Sequence, residues 1–92
     1  MSAAEWHVVK CEIVGNPERG YDIERYWLSG HPSLAAAKRS GLRDLGHDDF
    51  NIAKVRDGVL LAWTWMGEDT EPPTTADELA EIAPTLDWSV AS

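Results

Sequence analysis

The segment Phe50 to Met66, FNIAKVRDGVLLAWTWM, constrains this chain more than any other. Two strand-like runs rich in branched and aromatic residues flank Asp57-Gly58, a dipeptide that suits the left-handed backbone of a two-residue hairpin turn. With Asp57 and Gly58 as the loop, Arg56 faces Val59, Val55 faces Leu60, Lys54 faces Leu61, Ala53 faces Ala62, Ile52 faces Trp63, Asn51 faces Thr64 and Phe50 faces Trp65. Side chains alternate between the faces of a sheet. One face is then shallow, with Ala53, Val55, Leu60 and Ala62; the other is large, with Phe50, Ile52, Leu61, Trp63 and Trp65. Neither is polar enough to be solvated along its length, so the hairpin needs cover on both sides.

Ninety-two residues make one domain with a thin core. Five tryptophans are many for that length. Large rings bury area in a thin core, and they also dominate contact surfaces between proteins. The single cysteine, Cys11, excludes an internal disulfide and fits a reducing, cytoplasmic setting. The start MSAAEWH lacks the basic and apolar regions of a secretory signal, and the longest apolar run, Val59 to Trp63, is too short for a membrane span.

Residues 6 to 14 alternate, with His7, Val9, Cys11 and Ile13 on one side and Trp6, Val8, Lys10, Glu12 and Val14 on the other. A turn cluster follows at Gly15 to Gly20. Tyr21 to Leu28 reads better as a strand than as a helix; it closes a second hairpin with Ile23 and Trp27 on one face and Tyr26 and Leu28 on the other. Ser29 to Pro32 breaks the chain. Ser33 caps a helix from Leu34 to about Leu45, with Gly46 as its stop. Leu34, Gly41 and Leu45 form its apolar stripe, and a glycine there implies close approach to a neighbour. The shallow hairpin face suits that neighbour, which leaves the aromatic face partly open. Residues 67–75 read as a linker. Thr75-Ala76-Asp77-Glu78 is a capping box that starts a short helix carrying Leu79 and Ile82, and residues 85–92 trail off, anchored by Leu86 and Trp88. The expected fold is α+β: a mainly antiparallel four-stranded sheet in the order β-β-α-β-β over residues 1–66, one packed helix, and an acidic helix and tail over residues 76–92.

Charge is uneven. Residues 1–66 hold nine acids and eight bases, while residues 67–92 hold seven acids and no base, which places most of the formal −8 at one end. Such a segment solubilises the protein, docks on its own basic helix face, or meets a basic partner.

Motifs for chemistry are weak. His47-Asp48-Asp49 contains metal-binding residue types, but adjacent side chains diverge and no ligand spacing accompanies them. Cys11 and His7 share a strand face but lie roughly 13 Å apart along it, too far for a thiol–imidazole pair. Lys38, Arg39 and Arg43 make a modest basic helix face, joined by Lys54 and Arg56, on a body too neutral for a nucleic-acid surface. No metal or cofactor is expected. The reading that follows is a non-enzymatic, small acidic binding or regulatory protein. Its partner is a protein with a basic surface, and an inhibitor that mimics nucleic-acid charge is one form of it. Contact is expected through Phe50, Ile52, Trp63 and Trp65 and through Asp77, Glu78 and Glu81, with a homodimer as one way to close the aromatic face. The alternatives are an enzyme using a histidine with Asp48, Asp49 or Cys11, or a weak nucleic-acid binder using the Lys38 to Arg43 face.

Overall fold

The computed structural model describes residues 3–46, 48–68 and 74–91. The structure is α+β, and among the described residues it has eight elements: β1 (Glu5–Asn16), β2 (Gly20–His31), α1 (Leu34–Leu45), β3 (Phe50–Arg56), β4 (Val59–Trp65), α2 (Ala76–Ile82), a 3-10 turn (Ala83–Leu86) and β5 (Ser89–Val90). The sheet order is β2-β1-β3-β4-β5. The expected four strands are five, because the end of the chain returns beside β4 and pairs parallel to it through Val59–Ser89 and Leu60–Val90. The sheet is therefore mixed.

Local signals act where the sequence places them. Asp57 and Gly58 both take positive φ, 52° and 77°, and close the β3–β4 turn. The Ser33 hydroxyl accepts from the Ala36 amide at 3.1 Å, and Gly46 at φ 59° ends α1. Thr75 caps α2 in the same way, accepting from the Glu78 amide at 3.2 Å. Tyr21–Leu28 is strand, and the strand outlasts the expected break at Ser29, running on to His31. Most of the predicted linker, residues 69–73, lies outside the described residues; within it Thr74 donates its hydroxyl to the Trp63 carbonyl at 2.7 Å.

The β3–β4 register departs from regular pairing. Val55 faces Leu60 as expected, but Lys54 faces Ala62, Ala53 faces Trp63 and Ile52 faces Thr64. Leu61 is the extra residue of a β-bulge. Beyond it the two faces exchange β4 residues, so that Trp63 joins Ala53 and Val55 rather than Phe50 and Ile52.

The placement of the helix is corrected as well. α1 packs on the Phe50 and Ile52 side, where Val8, Ala37, Phe50 and Ile52 are buried together with Trp6, Leu34, Leu45 and Met66 against them. A Cβ at Gly41 would overlap the Phe50 ring. The glycine admits a large ring; it does not seek a shallow sheet. The opposite face, Ala53, Val55 and Leu60, is closed by Ile82 and Ala83, with Trp63, Leu79, Leu86 and Trp88 packed at its margin.

Cover is confined to one end of the sheet. β3 pairs with β1 only over Glu5–Lys10, whereas β1 and β2 pair out to Asn16 and Gly20. The outer half of that hairpin is a two-stranded arm. Its turn is held by the Asn16 side chain, whose Oδ1 accepts from the Arg19 amide at 2.8 Å and the Glu18 amide at 3.1 Å.

Candidate functional site

Alternation gives the arm two unlike faces. On the α1 side, Lys10, Glu12, Asp22, Glu24 and Tyr26 form a polar surface with a Lys10–Glu12 ion pair at 3.3 Å. Tyr26 donates its hydroxyl to Glu24, and that acidic neighbour raises the phenol above its ordinary pKa. On the α2 side, Tyr21, Ile23, Arg25 and Trp27 of β2 lie beside Cys11 and Ile13 of β1. α2 and the 3-10 turn reach this face only near its base. Ile13 is 76% exposed, Tyr21 65%, Trp27 54%, Ile23 49% and, across the base on β4, Trp65 43%. Five large apolar side chains on one face of the sheet is more than scattered exposure provides.

Arg25 and Cys11 face each other in the middle of this surface. The Cys11 thiol donates to Asn51 Oδ1 at 3.3 Å. Burial pushes its pKa up, and the Arg25 guanidinium beside it pulls partly the other way. Such a thiol is a poor nucleophile at neutral pH. Arg25 Nε is buried with no hydrogen-bond partner, and Arg25 makes no ion pair among the described residues.

At the root of the arm, His7 is seated between elements. Gly30 lies opposite it and leaves room for its ring. Trp27 Nε1 donates to His7 Nδ1 at 2.8 Å, and His7 Nε2 donates to Glu5 Oε2 at 3.1 Å. Because indole nitrogen only donates, the neutral ring carries its proton on Nε2. The Trp88 ring lies 5.2 Å away between centroids. His7 thus ties β1, β2 and the C-terminal segment together, with both nitrogens occupied. An open recess of about 720 Å³ lies beside it, reaching His31 and Pro32.

A second polar group lies under α1. His31 Nε2 and Ser29 Oγ are 2.7 Å apart, and Ser29 leads through Ser40, at 3.5 Å, to Asp44, at 3.4 Å. The first distance suits a nucleophile and its base. However, no carboxylate hydrogen-bonds His31 among the described residues, and the serine faces Ser40 at the helix contact. The arrangement links α1 to β2. A bulge between Trp27 and Ser29 turns Ser29 to that side, a feature that residue alternation does not reveal.

The sequence-derived candidates separate. Phe50 and Ile52, expected on a partner-facing surface, are each 1% exposed beneath α1. Trp63 is half-buried against the α2 cluster, and only Trp65 borders the open face. Asp77, Glu78 and Glu81 are all exposed on α2. Asp48 and Asp49 are exposed, with Asp48 3.7 Å from Lys10, and His47 lies outside the described residues. Among the described residues no group of three or more histidine, cysteine or acidic side chains is placed to hold a metal ion. The basic face of α1 is interrupted by Asp44, which binds Arg43 at 2.9 Å and is held below the usual carboxylate range by that guanidinium. Among the described residues no helix is long and apolar enough to cross a membrane. No protein-family model, no curated protein and no solved structure matches the chain.

Proposed function

We propose that this protein is a non-enzymatic binding module that holds another protein against the uncovered face of its β1–β2 arm. The observation that carries this is the row of Ile13, Tyr21, Ile23 and Trp27, with Trp65 at its base, exposed on one side of the sheet and outside both buried clusters. Contacts between proteins concentrate their energy in aromatic and arginine side chains at the centre of such patches. Apart from the Trp27 bond to His7, these residues take no part in either buried cluster, so their apolar character is left for an interaction.

The acidic α2 supports a more specific form of this reading: a small cytoplasmic regulator whose partner carries a basic surface, such as an inhibitor occupying a nucleic-acid groove. Asp77, Glu78 and Glu81 all face solvent, and no base stands within residues 67–92. Carboxylates at a rim speed encounter more than they add affinity.

Ile13→Asp/Ile23→Asp tests the face. The tagged wild type and the double variant are used to isolate host proteins, and each recovered protein is titrated by calorimetry. A partner bound by the wild type and lost in a variant of unchanged melting point supports the reading. Equal binding by both forms rejects it. For that partner, Asp77→Asn/Glu78→Gln/Glu81→Gln should slow association at low salt and have little effect at high salt. Unchanged association would leave α2 as a solubilising element.

A further inference from the structure

Resting on that reading, we infer that the occupant of the arm is an amphipathic helix whose apolar stripe carries one carboxylate, and that Arg25 is the group that receives it. Three observations meet here. Arg25 sits centrally in the apolar row, between Ile23 and Trp27 and opposite Cys11. It forms no ion pair among the described residues of a chain with twice as many acids as bases, and its Nε is buried without a partner. The strand acids of the arm, Glu12, Asp22 and Glu24, alternate onto the other face, Glu18 stands in the turn at its tip, and among the described residues no carboxylate pairs with Arg25. A guanidinium in an apolar setting gains most from a carboxylate, which takes two of its donors at once.

The shape of the surface selects a helix. Two strands spaced by about 4.8 Å make a ribbon about 10 Å wide, the diameter of one α-helix. From the Trp27 row to the Tyr21 row is six residues, roughly 20 Å of strand, or about 13 residues of helix. The protein covers the neighbouring part of the same face in this manner, with Leu79 and Ile82 of α2 over Ala53, Val55 and Leu60. A second copy of the chain is a poorer occupant. Its matching face would bring another Arg25 and no acid.

The probe is a displayed library of 14-residue peptides. Leucines are fixed at helical i, i+3, i+7 and i+10 positions, and the stripe position between the central pair is randomised. Selection is run on wild-type protein and on Arg25→Glu. The expected result is enrichment of Asp and Glu at the random position on the wild type and of Lys and Arg on the variant. A selected Glu peptide should lose about tenfold in affinity on change to Gln. Binders that show no charge preference, or none recovered at all, overturn the inference. Binders whose acidic preference persists on Arg25→Glu do the same. If selected peptides still bind Ile13→Asp/Ile23→Asp, the face itself is wrong and the functional reading falls with it. If that double variant abolishes binding while Arg25→Glu does not, only the role given to Arg25 falls. Self-association of the wild type in sedimentation, lost in Ile13→Asp/Ile23→Asp, would show a second copy as the occupant instead.

Discussion

The root of the sheet and its arm are built from the same alternating strands, yet only the root is closed on both faces. At the root, α1 fits over Phe50 and Ile52 because Gly41 leaves space for a ring, and the short α2 with its 3-10 turn seals Ala53, Val55 and Leu60. In the arm, β1 and β2 carry comparably large side chains with no element above them. The difference teaches that apolar alternation records which residues share a face, while cover depends on where helices can reach. Both buried clusters lie in the root, and Ile13, Tyr21, Ile23 and Trp27 of the arm belong to neither.

The comparison breaks most sharply at Phe50. Phe50→Ala should cost about 3–5 kcal/mol, as for a buried ring truncated in a tight core, measured by denaturant melts. A loss below about 1 kcal/mol would mean that α1 does not depend on this contact. Trp63 and Trp65, two residues apart on β4, provide the next test. Trp63→Ala should cost about 3 kcal/mol because the ring seats the C-terminal cluster, while Trp65→Ala should cost under about 1 kcal/mol. Reversal of that order would place the bulge elsewhere. Gly41→Ala should destabilise by about 1–3 kcal/mol through overpacking, reduced by the roughly 1 kcal/mol that alanine gains in a helix. Phe50→Leu in the same background should recover part of the loss if the ring is what the glycine accommodates.

Effects in the arm should be small. Ile13→Asp/Ile23→Asp should change stability by no more than about 0.5 kcal/mol per site, the range for surface substitutions. A large drop in melting point would show that the arm is core. Cys11 gives the mildest readout. Its thiol pKa is raised above that of an ordinary cysteine, chiefly by burial, so less thiolate is present at any given pH than for an exposed thiol. Alkylation by iodoacetamide should therefore be slow at pH 8 and should accelerate only at higher pH than for a small free thiol. Fast labelling at neutral pH would mean that Arg25 dominates the site.

Much of this molecule was legible from local chemistry. The Asp57-Gly58 turn, the Ser33 and Gly46 limits of α1 and the Thr75 cap each depend on a few neighbouring atoms, and each forms where the residues ask for it. The shared face of Ile23 and Trp27 also followed from alternation alone. Features set by distant segments were less legible. Bulges at Leu28 and Leu61 leave no periodic trace. β5 has two residues and is held by β4, through bonds such as the Ser89 amide to the Gly58 carbonyl at 2.9 Å. The glycine on the α1 stripe correctly implied close approach, but it could not say whether backbone or a ring came close. For the same reason Phe50 and Ile52 were expected on an open surface, whereas both are buried beneath α1. The sequence shows which residues lack polar neighbours, and only the tertiary path of α1 and α2 shows which remain bare.

The bulge at Leu61 also bears on how the chain tolerates changes of length. Val55–Leu60 and Lys54–Ala62 are consecutive pairs with Leu61 outside the ladder. Loss of its codon would leave both pairs, and all pairs beyond them, in their present partnerships. Loss of Ala53 or Thr64 would instead invert part of a strand and expose what is now buried. Within this hairpin, Leu61 is thus the position where an in-frame deletion is expected to be close to silent, while neighbouring deletions of equal size would be ruinous.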